Sequence, residues 1–159
     1  MTVQITKRKD GRAVLRCVRS DGSETWQRQD DERALFFPLH DLTHFAVETE
    51  LGYRAGFFGL LAAGWDISET DGKGKRGSLP PEAIEVEYLV SAFSAERVGH
   101  SNTAVDDFNQ HSSTFAQSKG LPEPRRLTDA DLTKVRSRLA ELCGQWNALP
   151  KGETLELVW

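Results

Sequence analysis

The chain has 159 residues, 38% of them hydrophobic and 28% charged, with a formal net charge of −4. That length suits one domain over residues 1–159, large enough to bury a core without disulfides or structural metal. The acidic balance argues against bulk attraction to nucleic acid or anionic lipid, so neither is expected as a partner.

The N-terminal run Met1 to Arg8 has no apolar segment of signal-peptide type and no small-residue cleavage site. The first thirty residues carry strand and turn chemistry. Lys9-Asp10-Gly11 and Ser20-Asp21-Gly22 are Asp-Gly turns between β-favouring runs, which predicts a meander with strands near 2–8, 12–19 and 23–28. A fourth strand is expected at the C-terminal end. There Leu155, Leu157 and Trp159 alternate with polar residues after Pro150-Lys151-Gly152.

Between these strands the apolar period changes from two to about 3.6. The first helix should begin between Pro38 and Asp41 and stop at Gly52, a C-terminal glycine. The second, about 55–65, is apolar all round and is expected to be the most buried. It includes the most apolar stretch, Phe57 to Trp65, which is too short to span a bilayer. After a loop at 70–81, a third helix should run to Val98 with Ile84, Tyr88, Leu89, Ala92 and Phe93 inward. A fourth, about 103–118, is expected to be capped by Asn102 or Thr103, with Ala104, Val105, Phe108, His111 and Phe115 as its stripe. The fifth, about 129–148, has Thr128 as N-cap, Asp131 three residues on, and Leu127 and Leu132 as a hydrophobic staple.

Cys17 and Cys143 fall in the second strand and the fifth helix, too far apart in sequence to suggest a zinc knuckle or a disulfide framework. They read as small apolar core residues in a reducing compartment, and a cytoplasmic location is expected.

The run Phe36-Phe37-Pro38-Leu39-His40-Asp41-Leu42-Thr43-His44 holds the one pointed chemical feature. If the helix already includes His40, then His40, His44 and Glu48 lie one turn apart on one stripe. Two imidazoles at i and i+4 can share one zinc or other divalent ion, which is why metalloproteases carry His-Glu-x-x-His. Asp41 stands at that acidic position and is the catalytic candidate. One methylene shorter than glutamate, it also suits orienting a ligand from behind. Glu48, or His111 or His100 brought over by folding, would supply a third ligand. If instead Asp41 is the N-cap, His40 lies outside the helix and the chelating geometry is lost.

His40-Asp41-x-x-His44 resembles the motif of a ubiquinone-biosynthesis protein family, which is completed by a glutamate twelve residues beyond the second histidine. That position is Gly56 here, so the motif is broken and the family's function does not carry over. More broadly, Phe36 through Glu48 with Gly56 through Asp66 resembles a group of uncharacterised bacterial proteins. This implies a shared fold over most of the chain and no established activity.

Other motifs are weaker. Gly72-Lys73-Gly74-Lys75-Arg76-Gly77 matches a dinucleotide fingerprint in letters, but Ser78-Leu79-Pro80-Pro81 delays the helix that must follow. Ser101, Ser112 and Ser113 lie near His100 and His111 only in sequence. Glu82, Glu85, Glu87 and Glu96 read mainly as a solvated helix face, with Glu85 or Glu96 the candidates to border the core. Arg125-Arg126, with Lys134, Arg136 and Arg138, reads as a solvated basic surface. Trp26 and Trp159 are expected either to form an exposed interface pair or to pack together across the sheet.

The sequence therefore predicts an α+β fold: an antiparallel sheet of about four strands, an N-terminal meander plus the C-terminal strand, packed against about five helices. Its leading functional expectation is a zinc-like centre on His40 and His44 with hydrolytic chemistry at a bound water. Competing with it are a non-catalytic domain that binds a partner or forms a homo-oligomer, and a small-ligand pocket between helix and sheet.

Overall fold

In the computed structural model, which describes residues 1–30, 34–72, 76–99 and 101–159, the N-terminal meander forms as predicted. Strands β1 (Thr2–Lys7), β2 (Ala13–Val18) and β3 (Glu24–Arg28) pair antiparallel through the two Asp-Gly turns. Strand β4 (Thr154–Val158) returns to the other side of β1, giving the order β3-β2-β1-β4. Alternation places Val3, Ile5, Ala13, Leu15, Cys17 and Leu157 on one buried face. The opposite face carries Gln4, Arg16 and Glu156, which bond to one another across the strands.

Five helices complete the α+β fold: α1 (Phe37–Leu51), α2 (Phe57–Ala62), α3 (Pro81–Gly99), α4 (Val105–Ser118) and α5 (Asp129–Ala148). A 3-10 turn at Ile67–Glu69 follows α2. None of the described helices is long and apolar enough to cross a membrane.

Helix α1 takes the central place expected of α2. It packs against α2, α3, α5 and the sheet, and buries Leu42, Phe45, Ala46, Val47 and Leu51 together with Asp41, His44 and Glu48. These buried polar side chains bond to neighbours inside the fold, which offsets the loss of water. The helix starts at Phe37 with Pro38 in its first turn, and ends at Gly52, whose φ of 75° gives the left-handed C-terminal turn. Asp41 is thus inside the helix and not its N-cap. Helix α2 is shorter than expected, at six residues, with Phe58 to Leu61 buried.

In α3 the buried stripe is Ala83, Val86, Leu89, Val90 and Phe93, with Ile84 and Tyr88 at its margin. This face is turned about 100°, one residue's rotation, from the expected one. Helix α4 starts at Val105 after Ala104, with no side-chain cap, so neither Asn102 nor Thr103 fills that role. Its buried side holds Phe108, Asn109, Ser112 and Ala116 and leaves His111 exposed. Helix α5 matches its expected bounds, with the Thr128–Asp131 capping box formed and Leu127 and Leu132 both buried.

Trp26 and Trp159 form no pair, because β3 and β4 are opposite edges of the sheet. Trp26 is 60% exposed on the open face. Trp159 packs with Phe45 and Phe58 on the helical side.

Candidate metal centre

Because α1 includes both histidines, His40 and His44 lie one turn apart, their ring centroids separated by 4.8 Å and nearly perpendicular. Each ring is held by an aromatic neighbour. His40 stacks on Phe36 at 5.1 Å, and His44 lies against Phe57 of α2 at 5.3 Å. The two rings, with Asp41, form one wall of a cleft of about 230 Å³. Phe37, Phe57, Gln27 of β3, Glu87 of α3 and, beyond α2, Ile67, Thr70 and Asp71 form the rest.

His44 is 2% exposed and lies between two acidic groups. Its Nδ1 is 3.3 Å from Glu48 Oε1 and its Nε2 is 3.3 Å from Glu87 Oε1. Glu87 is half exposed to the cleft. One donor atom each from His40, His44 and Glu87 fall within 4.8 Å of one another. Ligands of a tetrahedral zinc ion at about 2.0–2.1 Å stand roughly 3.3 Å apart. The His44–Glu87 pair already has that spacing, and closing the full set takes a side-chain movement of about 1.5 Å.

Glu48 occupies a different place from the one expected of a ligand. It is fully buried, and it caps α2: Oε1 accepts the Phe58 N–H at 3.2 Å and Oε2 the Gly59 N–H at 3.1 Å. Its remaining contact is with Nδ1, the ring nitrogen turned away from Glu87. Glu48 therefore holds the ring from behind, the arrangement in which an outer carboxylate orients a ligating imidazole.

Gly56 makes room for it. A Cβ there would lie 2.5 Å from Glu48 Cδ. The space that a side chain at position 56 would need is occupied by the carboxyl of Glu48. The next glycine, Gly59, is as tightly constrained, since a Cβ would come 2.2 Å from the Arg54 carbonyl oxygen.

The charges of the cluster are interdependent. Burial works against a proton on His44, but its bonds to Glu48 and Glu87 outweigh this and raise its pKa to about 9. His40 goes the other way, to about 4, through burial and the neighbouring His44 charge. Burial raises Asp41 to about 7, opposed by the 2.7 Å bond it accepts from Gln29 Nε2. The other side-chain atom of that amide, Gln29 Oε1, is buried without a hydrogen-bond partner among the described residues. Glu87 is held below the usual carboxylate range: burial would raise it, and His44 more than offsets this. A proton on His44 and a divalent cation are thus alternative ways of balancing the same carboxylates.

Of the expected ligands, His40 and His44 come together. Glu48 lies behind the ring, and His111 is exposed on α4 beside a different cleft with Ser91 and Ala95 of α3. His100 lies outside the described residues. Asp41 shares the cleft wall without joining the donor cluster.

Glu87 replaces the carboxylates singled out in the sequence. Glu85 accepts a 2.6 Å bond from the Tyr53 hydroxyl, and Glu96 pairs with Arg136. The rotated phase of α3 is the reason: with the buried stripe centred on Val86 and Val90, Glu87 lies at its margin and faces α1.

The remaining motifs have structural roles where they are described. Residues 73–75 of the glycine-rich run lie outside the described residues. Arg76 stacks over Trp65 and bonds the Gly64 carbonyl. Arg125 bonds the Leu51 carbonyl and Asp131, while Arg138 pairs with Glu141 over the Phe45 ring. No protein-family model matches the chain, and neither a curated protein nor a solved structure matches it.

Proposed function

We propose that this chain is a divalent-metal-binding protein whose ion is held by His40, His44 and Glu87 and faces the cleft between α1, α3 and β3. The observation that carries this reading is the convergence of two imidazoles and a carboxylate from two helices on one spot. The seating of His44 supports it: with Glu48 on Nδ1, Nε2 is the nitrogen directed toward Glu87.

Two histidines and one carboxylate suit zinc in an open, catalytic type of site, and the same donors suit iron(II). Three protein donors leave a position for water, which an ion makes acidic enough to act as a nucleophile near neutral pH. Hydrolysis of a small substrate in the cleft is the chemistry this reading implies, with Asp41 and Asp71 as further carboxyls lining it.

Metal analysis of protein purified without a histidine tag, after growth with added zinc or iron, tests the proposal. The expected result is close to one equivalent of one metal. His40→Ala, His44→Ala and Glu87→Gln should each lower it at least tenfold, while His111→Ala leaves it unchanged. Less than about a tenth of an equivalent in the unaltered protein would overturn the reading, because an intact site retains its ion.

A further inference from the structure

Strand β3 is an edge of the sheet, so half of its backbone groups point away from β2. Two bonds at its ends show which half: the Arg19 N–H donates to the Ser23 carbonyl, and the Gln29 N–H to the Ala13 carbonyl. Bonded pairs alternate along an antiparallel ladder. Thr25 and Gln27 therefore bond inward, to Cys17 and Leu15, while Glu24, Trp26 and Arg28 present their N–H and C=O groups outward. Among the described residues, nothing bonds these outward groups. The 3-10 turn at Ile67–Glu69 lies beside the strand but takes only the Thr25 hydroxyl, and an open cleft of about 320 Å³ runs between the two.

Sheet edges are normally guarded against pairing by lysines, prolines, bulges or awkwardly placed charges. Strand β4, the other edge, follows that rule. Its outward residues are Thr154, Glu156 and Val158, so a second copy set against it about a two-fold axis would oppose Glu156 to itself. At the centre of β3 stands Trp26 instead, 60% exposed, with the exposed Glu24 and Arg28 two residues to either side. Reversing the direction of this strand exchanges an acid for a base.

We propose that β3 pairs with β3 of a second copy, antiparallel about a two-fold axis at Trp26, joining two four-stranded sheets into one. In that register Trp26 faces the partner's Trp26, and each Glu24 faces an Arg28. Every outward N–H and C=O of Glu24, Trp26 and Arg28 gains a partner. Glu24 and Arg28 keep their exposed pairs within the chain, with Arg16 and Asp30. The facing charges extend these into rows of alternating sign: Arg16, Glu24, then the partner's Arg28 and Asp30. A slip of two residues would set Glu24 against Trp26 and leave Arg28 unpaired, so the charges fix the register. One strand pair is a small interface, and the dimer is weak and reversible.

Sedimentation equilibrium at low salt, from about 10 µM to about 0.5 mM, should show the mass rising to that of a dimer and no further. Amide exchange followed by NMR should slow with concentration at Glu24, Trp26 and Arg28, and not at Thr154, Glu156 and Val158. Glu24→Arg and Arg28→Glu each set like charges face to face and should raise Kd at least tenfold. An equimolar mixture of the two variants should dimerise again, because every facing pair is then opposite in charge. The double variant E24R/R28E should associate like the unaltered protein. Circular dichroism checks the fold of each variant, and the exchange pattern of the unaltered protein decides the case should a variant be unstable. A monomer mass throughout the range, growth beyond a dimer, or protection at β4 in place of β3 would overturn the proposal. So would single variants that associate like the parent, or folded variants whose mixture stays monomeric.

Discussion

At the scale of single residues, the candidate centre depends on glycines that leave space rather than on glycines that turn the chain. Gly56 has φ −75° and ψ −167°, an extended conformation open to any residue. What an alanine lacks there is room, since its Cβ would overlap the Glu48 carboxyl, which is fully buried and fixed by two α2 amides and His44. Gly56→Ala should therefore destabilise the protein by about 1–3 kcal/mol through overpacking. Urea unfolding measures this directly. A change of less than about 0.5 kcal/mol, the scale of a neutral surface substitution, would mean that Glu48 can move aside.

At the scale of elements, α5 and α3 behave differently toward sequence reading. Helix α5 carries its own boundary signals. Thr128 Oγ1 accepts the Asp131 N–H at 3.1 Å, and the Asp131 carboxylate accepts the Thr128 N–H at 3.0 Å. Thr128→Ala should cost about 1 kcal/mol, and Thr128→Ser less than half of that, both read from the midpoint of chemical denaturation. Equal losses for the two would show that the threonine methyl, not the cap, matters. Helix α3 has apolar residues on more than one side, so its phase is decided by what it packs on. That phase brings Glu87 to His44 and sends Glu85 to Tyr53.

At the scale of the whole molecule, the Glu96–Arg136 pair ties α3 to α5 and, through Thr103, to the segment that enters α4. Burial alone would raise the Glu96 pKa, but the bonds from Arg136 and the Thr103 amide outweigh it and lower it from 4.5. A carboxyl whose folded pKa is depressed adds stability above its unfolded pKa and loses it as pH falls through the folded value. Glu96→Gln should thus cost about 1.5–3 kcal/mol at pH 7, the scale of hydrogen bonds to a charged group. Equilibrium unfolding of both proteins should show this gap narrowing below pH 4.5. A gap constant from pH 7 to pH 3 would mean that the pair's charge contributes nothing.

What the sequence determined by itself was local: the Asp-Gly turns, the alternation of Val3, Ile5, Leu155 and Leu157, the cap at Thr128 and the stop at Gly52. Each acts within a few residues, so each is legible without knowing the neighbours. The pairing of His40 and His44 was legible on one condition, that α1 begins before Asp41, and Pro38 in the first turn meets it. The tertiary structure decided the rest. Glu48 turned from ligand candidate to cap because α2 places its first amides beneath α1. Glu87 entered the cluster, and His111 left it, because the rotation of a helix about its axis is set by the surface it covers, which no local pattern in these helices specifies.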